Sequence, residues 1–579
     1  MLRPNLEALA RRDPELVQRI GWPVESDHVV LDESGEVHYR LQQSRYRLSL
    51  ADDAIARALP PEAPAHAEIF VFGVGLGELV DALLAARSDV RVVAWERDPW
   101  LLRLALGQNE WSAALASGRL RLLLGSDLIE HAAAMRARGT AVLTAFHPFL
   151  GTLYRHERAW LDPAALDRPL VLLCAGGLFV DDLAAALGRA GFAPYTLDIH
   201  RLAREELHRT LGRLRPGLVA AINYTEGLAE LAAAHHCRLI CWEIDPNTSA
   251  PPRCQSPAAG ENAFLFSYRR AQVAELRAGG FSHVEYLPLA ADLERRAPVP
   301  LTAGERARYG TPVSFVGSSM QPQAAGFRQS FVAGFVAALG GARPSANAEA
   351  EGAALLDEVL AEQRRDFTRF VVPDVLARRA PDLARARPDL LAQLARWAGE
   401  IAAAEKRLGY VGRLGRFGVC VWGDEGWRAA QSAGLPCHYR GPAGHGLELT
   451  KIYCASLINV DIGRVYQDDI VTMRVFDVLA CGGFVLAERS PALAELFEIG
   501  AEIDCYASAD ELEAKVAHYL AHPEAARAIA LRGRAAVCAR HGIDGRVARM
   551  LAVSAVGVGV GVGVGDPDPD PDRPRPRRR

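Results

Sequence analysis

The stretch Lys451–Tyr506, KIYCASLINVDIGRVYQDDIVTMRVFDVLACGGFVLAERSPALAELFEIGAEIDCY, decides the fold. Ala455–Val460 is a short apolar run, as expected of a strand buried on both faces of a parallel sheet. The polar stretch Asp461–Asp469 is a loop. Ile470–Cys481 follows helical spacing, with Val471, Val475, Val478 and Leu479 on one face and Gly482-Gly483 ending it. Phe484–Ala487 is the next strand. Ser490-Pro491 opens a second helix, with serine as cap and proline in the first turn, and that helix ends near Gly500. Glu502–Tyr506 is a third strand. Strand, helix, strand, helix, strand predicts a parallel sheet with crossover helices, so the fold class is α/β.

The polar residues of this unit carry its chemistry. Asp468 and Asp469 fall where the helix is expected to begin, and Asp477 lies eight positions after Asp469, two turns on along the same side. Thr472 and Arg474 belong to the opening turns. Free N–H groups at a helix start, beside an arginine fork, suit a diphosphate. Carboxylates nearby suit sugar or ribose hydroxyls. A capping aspartate with solvated charges would give the same spacing.

Thr472-Met-Arg-Val-Phe-Asp477, Ala480-Cys-Gly-Gly483, Glu495-Leu-Phe497 and Gly500-Ala-Glu502 together resemble the donor-domain signature of CgeB-like glycosyltransferases of the GT-B fold. The Asp469 to Asp477 spacing is similar to the E-x7-E pattern of retaining GT-B enzymes, with aspartate here at both ends. The resemblance implies a nucleotide-sugar donor domain. Lys451, Asn459, Asp469, Thr472, Arg474, Asp477, Gly482, Gly483 and Glu495 would bind the donor, with Arg474 the candidate catalytic residue. Gly423-Asp424-Glu425-Gly426-Trp427 resembles the family's G-D-x-x-W, which implies an aromatic, Trp427, over the donor's base. Core packing would also account for that tryptophan.

Outward from this unit, the 579 residues suffice for three or four domains. With 50% apolar and 23% charged residues the composition is that of a soluble globular protein, and a formal net charge of −4 gives no electrostatic case for nucleic acid. The ten cysteines are scattered without a C-x-x-C pair, which fits a reducing cytosol. Cys237 and Cys241 follow His235 and His236, but RLICWEI around Cys241 reads as a buried strand, so no metal is expected. No window approaches ~20 continuous apolar residues, so no membrane span is expected. The opening MLRPNLEALARRDPEL lacks the apolar segment of a secretory signal. High alanine and arginine content hints at a GC-rich bacterial genome.

Four regions are expected. Residues 1–160 hold a β-meander (His28–Leu31, Val37–Leu48) and a Rossmann-like module. In that module, strand Ile69–Phe72 leads into Gly73-Val-Gly75-Leu-Gly77 and a helix, and strand Val90–Trp95 ends at Glu96, nineteen residues past Gly77. Glycines let the backbone approach a ligand and an acid at the second strand's end takes ribose hydroxyls. Gly73, Gly75, Gly77 and Glu96 are therefore a candidate nucleoside or S-adenosylmethionine site, although a glycine turn that only starts a crossover would look the same. Tyr46–Leu59, Phe72–Gly77 and Trp95–Pro99 resemble the N-terminal domain of motility-associated Maf-type glycosyltransferases, which implies a docking or acceptor-recognition role. His147-Pro148 and the aromatics around Tyr154 read as a loop.

Residues 161–300 form a second Rossmann-like domain on the acceptor side, in which a Gly176-Gly177 turn follows strand Pro169–Cys174 and is either an approach to the donor phosphates or a plain tight turn. Ala297-Pro-Val-Pro300 is the linker. Residues 301–551 form the donor domain, with a helical insertion at 324–413 between its first two strands. Residues 552–579, Val-Gly then Asp-Pro then Arg-Pro repeats, form a disordered tail.

The sequence therefore predicts a cytoplasmic GT-B glycosyltransferase of family 1/4-like type. It would move a sugar from a nucleotide sugar to an acceptor hydroxyl on a protein or a cell-surface glycan, with no required cofactor and no bound metal. Two other readings stay open: an S-adenosylmethionine-dependent methyltransferase centred on Gly73–Glu96, and a non-catalytic scaffold that binds sugar nucleotides.

Overall fold

The computed structural model describes residues 1–41, 44–60, 66–139, 143–175, 177–245, 251–338 and 346–555. The Gly176 half of the Gly176-Gly177 turn and the tail beyond Ala555 lie outside the described residues. Among those residues the strands form four sheets. The meander is antiparallel, with Val37–Leu41 between Val29–Leu31 and Ser44–Arg47. The other three sheets are parallel throughout.

The four-stranded sheet runs, in spatial order, Leu120–Leu124, Arg91–Glu96, Glu68–Phe72, Leu143–Phe146. The first six-stranded sheet runs His283–Tyr286, Ala263–Ser267, Arg238–Glu243, Leu218–Ile222, Leu170–Cys174, Ala193–Leu197. The second runs His438–Tyr439, Cys420–Trp422, Thr311–Val316, Ser456–Val460, Val485–Glu488, Asp504–Tyr506. In each sheet the strand order reverses at a switch point, where the loops at the strands' C-terminal ends splay apart.

The first six-stranded sheet is the middle layer. Its side chains alternate between two cores, as a strand's period of two requires. Leu170, Leu172, Val219 and Cys241 face one way, into a core shared with Phe72, Trp95 and Tyr154 of the N-terminal module. Val171, Leu173, Trp242 and Phe266 face the other way, into a core shared with Val475, Phe476 and Leu479 of the third domain. The N-terminal module is therefore bound into the protein by a continuous core, not appended to it.

Several boundaries differ from the sequence reading. The helix expected at Ile470–Cys481 starts later and spans Met473–Ala480. Thr472 is its extended N-cap, at φ −70° and ψ 154°. Val471 is buried in the inter-domain core and the Thr472 hydroxyl is held by Asp461, so the segment ahead of Met473 cannot coil. Asp468 and Asp469 thus sit in a loop, not on the helix. The His147–Tyr154 loop is instead entered by strand Leu143–Phe146 and continues as short helices Leu150–Leu153 and Arg155–Arg158. The last helix, Ile543–Val553, falls almost wholly within the 301–551 span read as the donor domain but packs on the middle layer. Arg546 donates to the Pro288 carbonyl at 2.9 Å, and the Ile543 N–H donates to the Ala291 carbonyl at 2.9 Å. Ser554 is buried and its carbonyl accepts from Arg238, so the packed chain runs past Val553. The insertion is helical as expected, with Gln321–Ala338, Ala346–Arg365, Val372–Arg379, Pro381–Ala386 and Pro388–Leu414.

Arg19 pins the module to the middle layer. It is 2% exposed, donates to both oxygens of Glu206 at 2.7 and 2.8 Å, and reaches Asp127 at 2.7 Å and the Leu124 carbonyl at 2.9 Å. Removing one partner of such a buried pair leaves the other's charge uncompensated. Arg19→Ala is expected to cost about 3–5 kcal/mol, read as an earlier urea transition. A loss below about 1 kcal/mol would mean that these charges behave like an exposed pair.

Candidate functional site

The C-terminal ends of the two six-stranded sheets face each other across a cleft of about 860 Å³. Leu178, Phe179, Ile244, Asp245 and Tyr268 line it from the middle layer, and Gly317, Ser318, Asp424, Arg464, Thr472, Arg474 and Asp477 from the third domain. The third domain's switch point lies between Thr311–Val316 and Ser456–Val460, which pair in register at Val313–Ile458. The residues that follow these strands form the cleft floor.

Asp461, the first residue beyond Val460, organises that floor. Its carboxylate accepts from the Thr472 hydroxyl at 2.8 Å and from the Arg474 guanidinium. Arg474 also donates to the Val316 carbonyl at 2.6 Å and lies over the Phe315 ring. Thr472 spends its hydroxyl on Asp461 and makes no side-chain cap; the Val475 N–H turns back to the Thr472 carbonyl at 3.1 Å, and the N–H groups of Met473 and Arg474 receive no side-chain cap from Thr472. Gly317 leaves room for this guanidinium. A Cβ at that position would lie 2.7 Å from the Arg474 guanidinium. On the neighbouring strand end, Asp424 accepts from the Ser319 N–H and hydroxyl at 3.0 and 2.6 Å, and from the Ser318 hydroxyl. Two strand-end loops are knitted together by this one carboxylate.

Asp477 is buried at the edge of the cleft and pairs with Arg296 at 3.0 Å. Burial pushes its carboxyl up to about 6, while Arg296 pulls it back. Arg296 in turn holds Thr450 and the His445 carbonyl, which clamps the start of the inter-domain linker.

Of the residues singled out from sequence, the structure brings Thr472, Arg474 and Asp477 together at the cleft. It does not bring the others. Asp469 crosses to the middle layer and pairs with Arg269 at 2.8 Å. Lys451 pairs with Glu305 at 2.5 Å on the far side of its helix. Asn459 is buried within the sheet, accepting from Ser314 and donating to the Phe484 carbonyl. Gly482 ends its helix in the left-handed region at φ +75°, and a Cβ at Gly483 would lie 2.8 Å from the Tyr453 carbonyl, so the first glycine serves the backbone turn and the second serves packing. Glu495 pairs with Arg270 at the surface. Trp427 is fully buried, with its indole N–H on the Gly317 carbonyl at 2.8 Å, so it supports the floor from below and covers no base.

Sequence reasoning missed Asp461, Arg464 and Arg407. Asp461 had a usable signal, since it directly follows a strand whose C-terminal end must border the switch point. Arg464 lay in a loop read only as polar. Arg407 lies in the insertion, among arginines of which most are surface residues. Burial, with Arg474 and Arg464 beside it, pulls the Arg407 guanidinium down to about 9.

The N-terminal glycine loop is filled by the protein itself. Glu96 is fully buried. One of its oxygens takes the Val74 and Gly75 N–H groups, and the other takes the Tyr154 hydroxyl at 2.6 Å with the Arg97 and Asp98 N–H groups. Burial pushes its carboxyl up to about 7, against the Tyr154 hydroxyl. The role expected of it, taking ribose hydroxyls, has no free oxygen. A Cβ at Gly73 would lie 2.9 Å from Leu150, one at Gly75 2.7 Å from His147, and one at Gly77 2.5 Å from Asn109. These glycines admit side chains of the module. In the meander, Asp32, Glu36 and His38 present potential metal-ligating atoms within 4.8 Å of one another. Asp32 is already taken by Ser34 and the Glu36 N–H, and Glu36 by Arg47. Among the described residues no helix is long and apolar enough to cross a membrane.

Residues 395–552 match a family model described as glycosyl transferase-like. That span holds every third-domain cleft residue named above except Val316, Gly317 and Ser318. No curated protein matches the chain. Among solved structures, HepE of Anabaena in complex with UDP and glucose is 10% identical, covering 84% of this chain and all of that one at a TM-score of 0.34. A glycosyltransferase of Rickettsia africae ESF-5 is 9% identical, covering 68% of this chain and all of that one at 0.41. The Maf glycosyltransferase of Magnetospirillum magneticum AMB-1 is 14% identical over 52% of this chain and 58% of that one, at 0.20. None of these scores reaches 0.5.

Gly77 caps a helix at φ +104° with Asn109 and Trp111 against it. Gly77→Ala is expected to cost at least about 1–2 kcal/mol from the left-handed backbone alone, seen as a lower melting temperature. Millimolar S-adenosylmethionine is expected to leave the wild-type melting temperature where it is. A rise of several degrees would show that the loop opens to a nucleoside.

Proposed function

We propose that this protein is a glycosyltransferase of the GT-B type that takes a nucleotide sugar in the cleft and passes the sugar to an acceptor hydroxyl. The observation that carries the reading is Arg474. It stands at the third domain's switch point, beside an uncapped helix start, within the span that matches the glycosyl transferase-like model. A diphosphate seated there meets N–H groups that Thr472 leaves uncapped and a guanidinium already oriented by Asp461 and the Val316 carbonyl.

Catalysis in such a site is positioning and charge stabilisation. As the bond from the sugar's anomeric carbon to the diphosphate breaks, negative charge grows on the departing oxygen. Arg474 neutralises it without reorganising, because its fork is fixed beforehand. Met473, Asp477 and the acceptor-side Leu178, Phe179, Asp245 and Tyr268 wall the space in which sugar and hydroxyl meet. The acceptor, a protein or a glycan, enters from the middle layer, whose strand ends form that side. Transfer needs no cofactor beyond the donor. Ten free cysteines suit a reducing compartment, so the enzyme is assigned to the cytoplasm.

Arg474→Ala is expected to lower turnover on the order of a hundredfold or more and to weaken donor binding, and also to lower the melting temperature, because Asp461 is left buried without its cation. Lysine should restore part of the rate, since it brings the charge without the fork. The measurement is steady-state kinetics after a thermal-shift screen of nucleotide sugars has named the donor. A bound donor at a hundred times its dissociation constant adds about 2.7 kcal/mol of stability. Normal turnover and normal donor affinity in the alanine variant would remove this reading's main support.

A further inference from the structure

The helical insertion reaches the cleft floor. Its longest helix, Pro388–Leu414, buries Glu400 and Arg407, two turns apart on one side, together with Lys406. Lys406 pairs with Glu488 at the end of strand Val485–Glu488, and the other oxygen of Glu488 accepts the Gly463 N–H at 3.1 Å. Glu400 takes the Tyr466 hydroxyl and stands 3.7 Å from the Arg464 guanidinium. The insertion therefore holds both ends of the loop that carries Arg464. Arg407 itself lines the cleft and donates to the Ser318 carbonyl at 2.7 Å.

Arg407 is the odd group in this arrangement. It is only 9% exposed, yet among the described residues no carboxylate pairs with it, and its Nε has no hydrogen-bond partner. Its charged neighbours Arg474 and Arg464 repel it, with Asp461 and Glu400 offsetting them in part. A buried guanidinium with an idle donor, crowded by like charges, is costly unless an anion completes it. The Arg464 Nε also makes no hydrogen bond, with the Glu400 carboxylate 3.7 Å away.

We infer that Arg407, supplied by the insertion, is a second binding residue for the diphosphate of the donor, acting together with Arg474. This rests on the glycosyltransferase reading above. The insertion is then a working part of the donor site. Arg407 gives the departing diphosphate a second fork. Lys406, Glu488 and Glu400 are positioning residues that fix the loop beside it.

The test uses the full-length protein and inorganic pyrophosphate as the probe, titrated calorimetrically and by thermal shift. Arg407→Met is compared with Arg474→Ala and the wild type. The expected result is that Arg407→Met binds pyrophosphate about tenfold or more weakly, while its melting temperature without ligand is unchanged or higher, because a repulsion has been removed. A merely structural arginine would do the opposite, lowering the melting temperature and leaving affinity alone. Arg407→Gln, which keeps a neutral hydrogen-bonding side chain at the position, guards against misfolding and is expected to lose binding in the same way. If Arg474→Ala weakens binding and neither Arg407 variant does, this inference is overturned and the glycosyltransferase reading stands. If wild-type protein does not bind pyrophosphate, or no variant changes its affinity, both fall.

Discussion

One carboxylate, that of Asp461, holds the cleft floor together. It sits at the C-terminal end of a central parallel strand, where the sheet's order reverses and backbone groups run out of strand partners. Thr472 and Arg474 both bond to it, and its own carbonyl accepts the Tyr506 hydroxyl at 2.6 Å. Because Thr472 is engaged there, the following helix begins without a side-chain cap. Because Arg474 is engaged there, its fork stays at the strand ends instead of swinging into solvent. A single buried acid thus fixes the direction of an arginine and leaves a helix start uncapped, which are the two features an anion site needs.

The second constraint is that a parallel sheet must be covered on both faces. The middle layer meets it with two different partners, the N-terminal module on one face and the third domain on the other. The last helix, Ile543–Val553, closes over the same layer. The cleft is then the one edge of this stack that cannot be covered by packing, since the strand ends of two sheets point into it. Contacts across it, such as Gln467 to the Tyr268 hydroxyl and Asp469 to Arg269, set its width.

The N-terminal module is a case where one motif has two physical meanings. Glycines after a first strand and an acid after a second describe a nucleoside site in sequence. The same residues allow His147, Leu150, Asn109 and Trp111 to press against the backbone, and the acid satisfies N–H groups that would otherwise be buried without partners. Both uses need a backbone without Cβ atoms and an acceptor at one place. The difference lies in residues about 30 to 70 positions further along the chain, which no local pattern reveals.

The sequence by itself determined the α/β class, the parallel sheets, the helical insertion and the segment that holds Arg474. It could do so because hydrophobic periodicity and glycine or proline punctuation are local signals. Of the residues it singled out beside Arg474, Thr472 and Asp477 line the cleft. Only the tertiary structure decided which of the remaining polar residues are available to a ligand. Asp469, Lys451 and Glu495 are spent on ion pairs with residues 146 to 225 positions away, and Asn459 and Trp427 are spent on the sheet beneath the cleft. Arg407 went unnoticed for the complementary reason. A helical arginine looks the same in sequence whether it faces water or a cleft. Its unpaired donor exists only once Ser318, Arg464 and Arg474 have been folded around it.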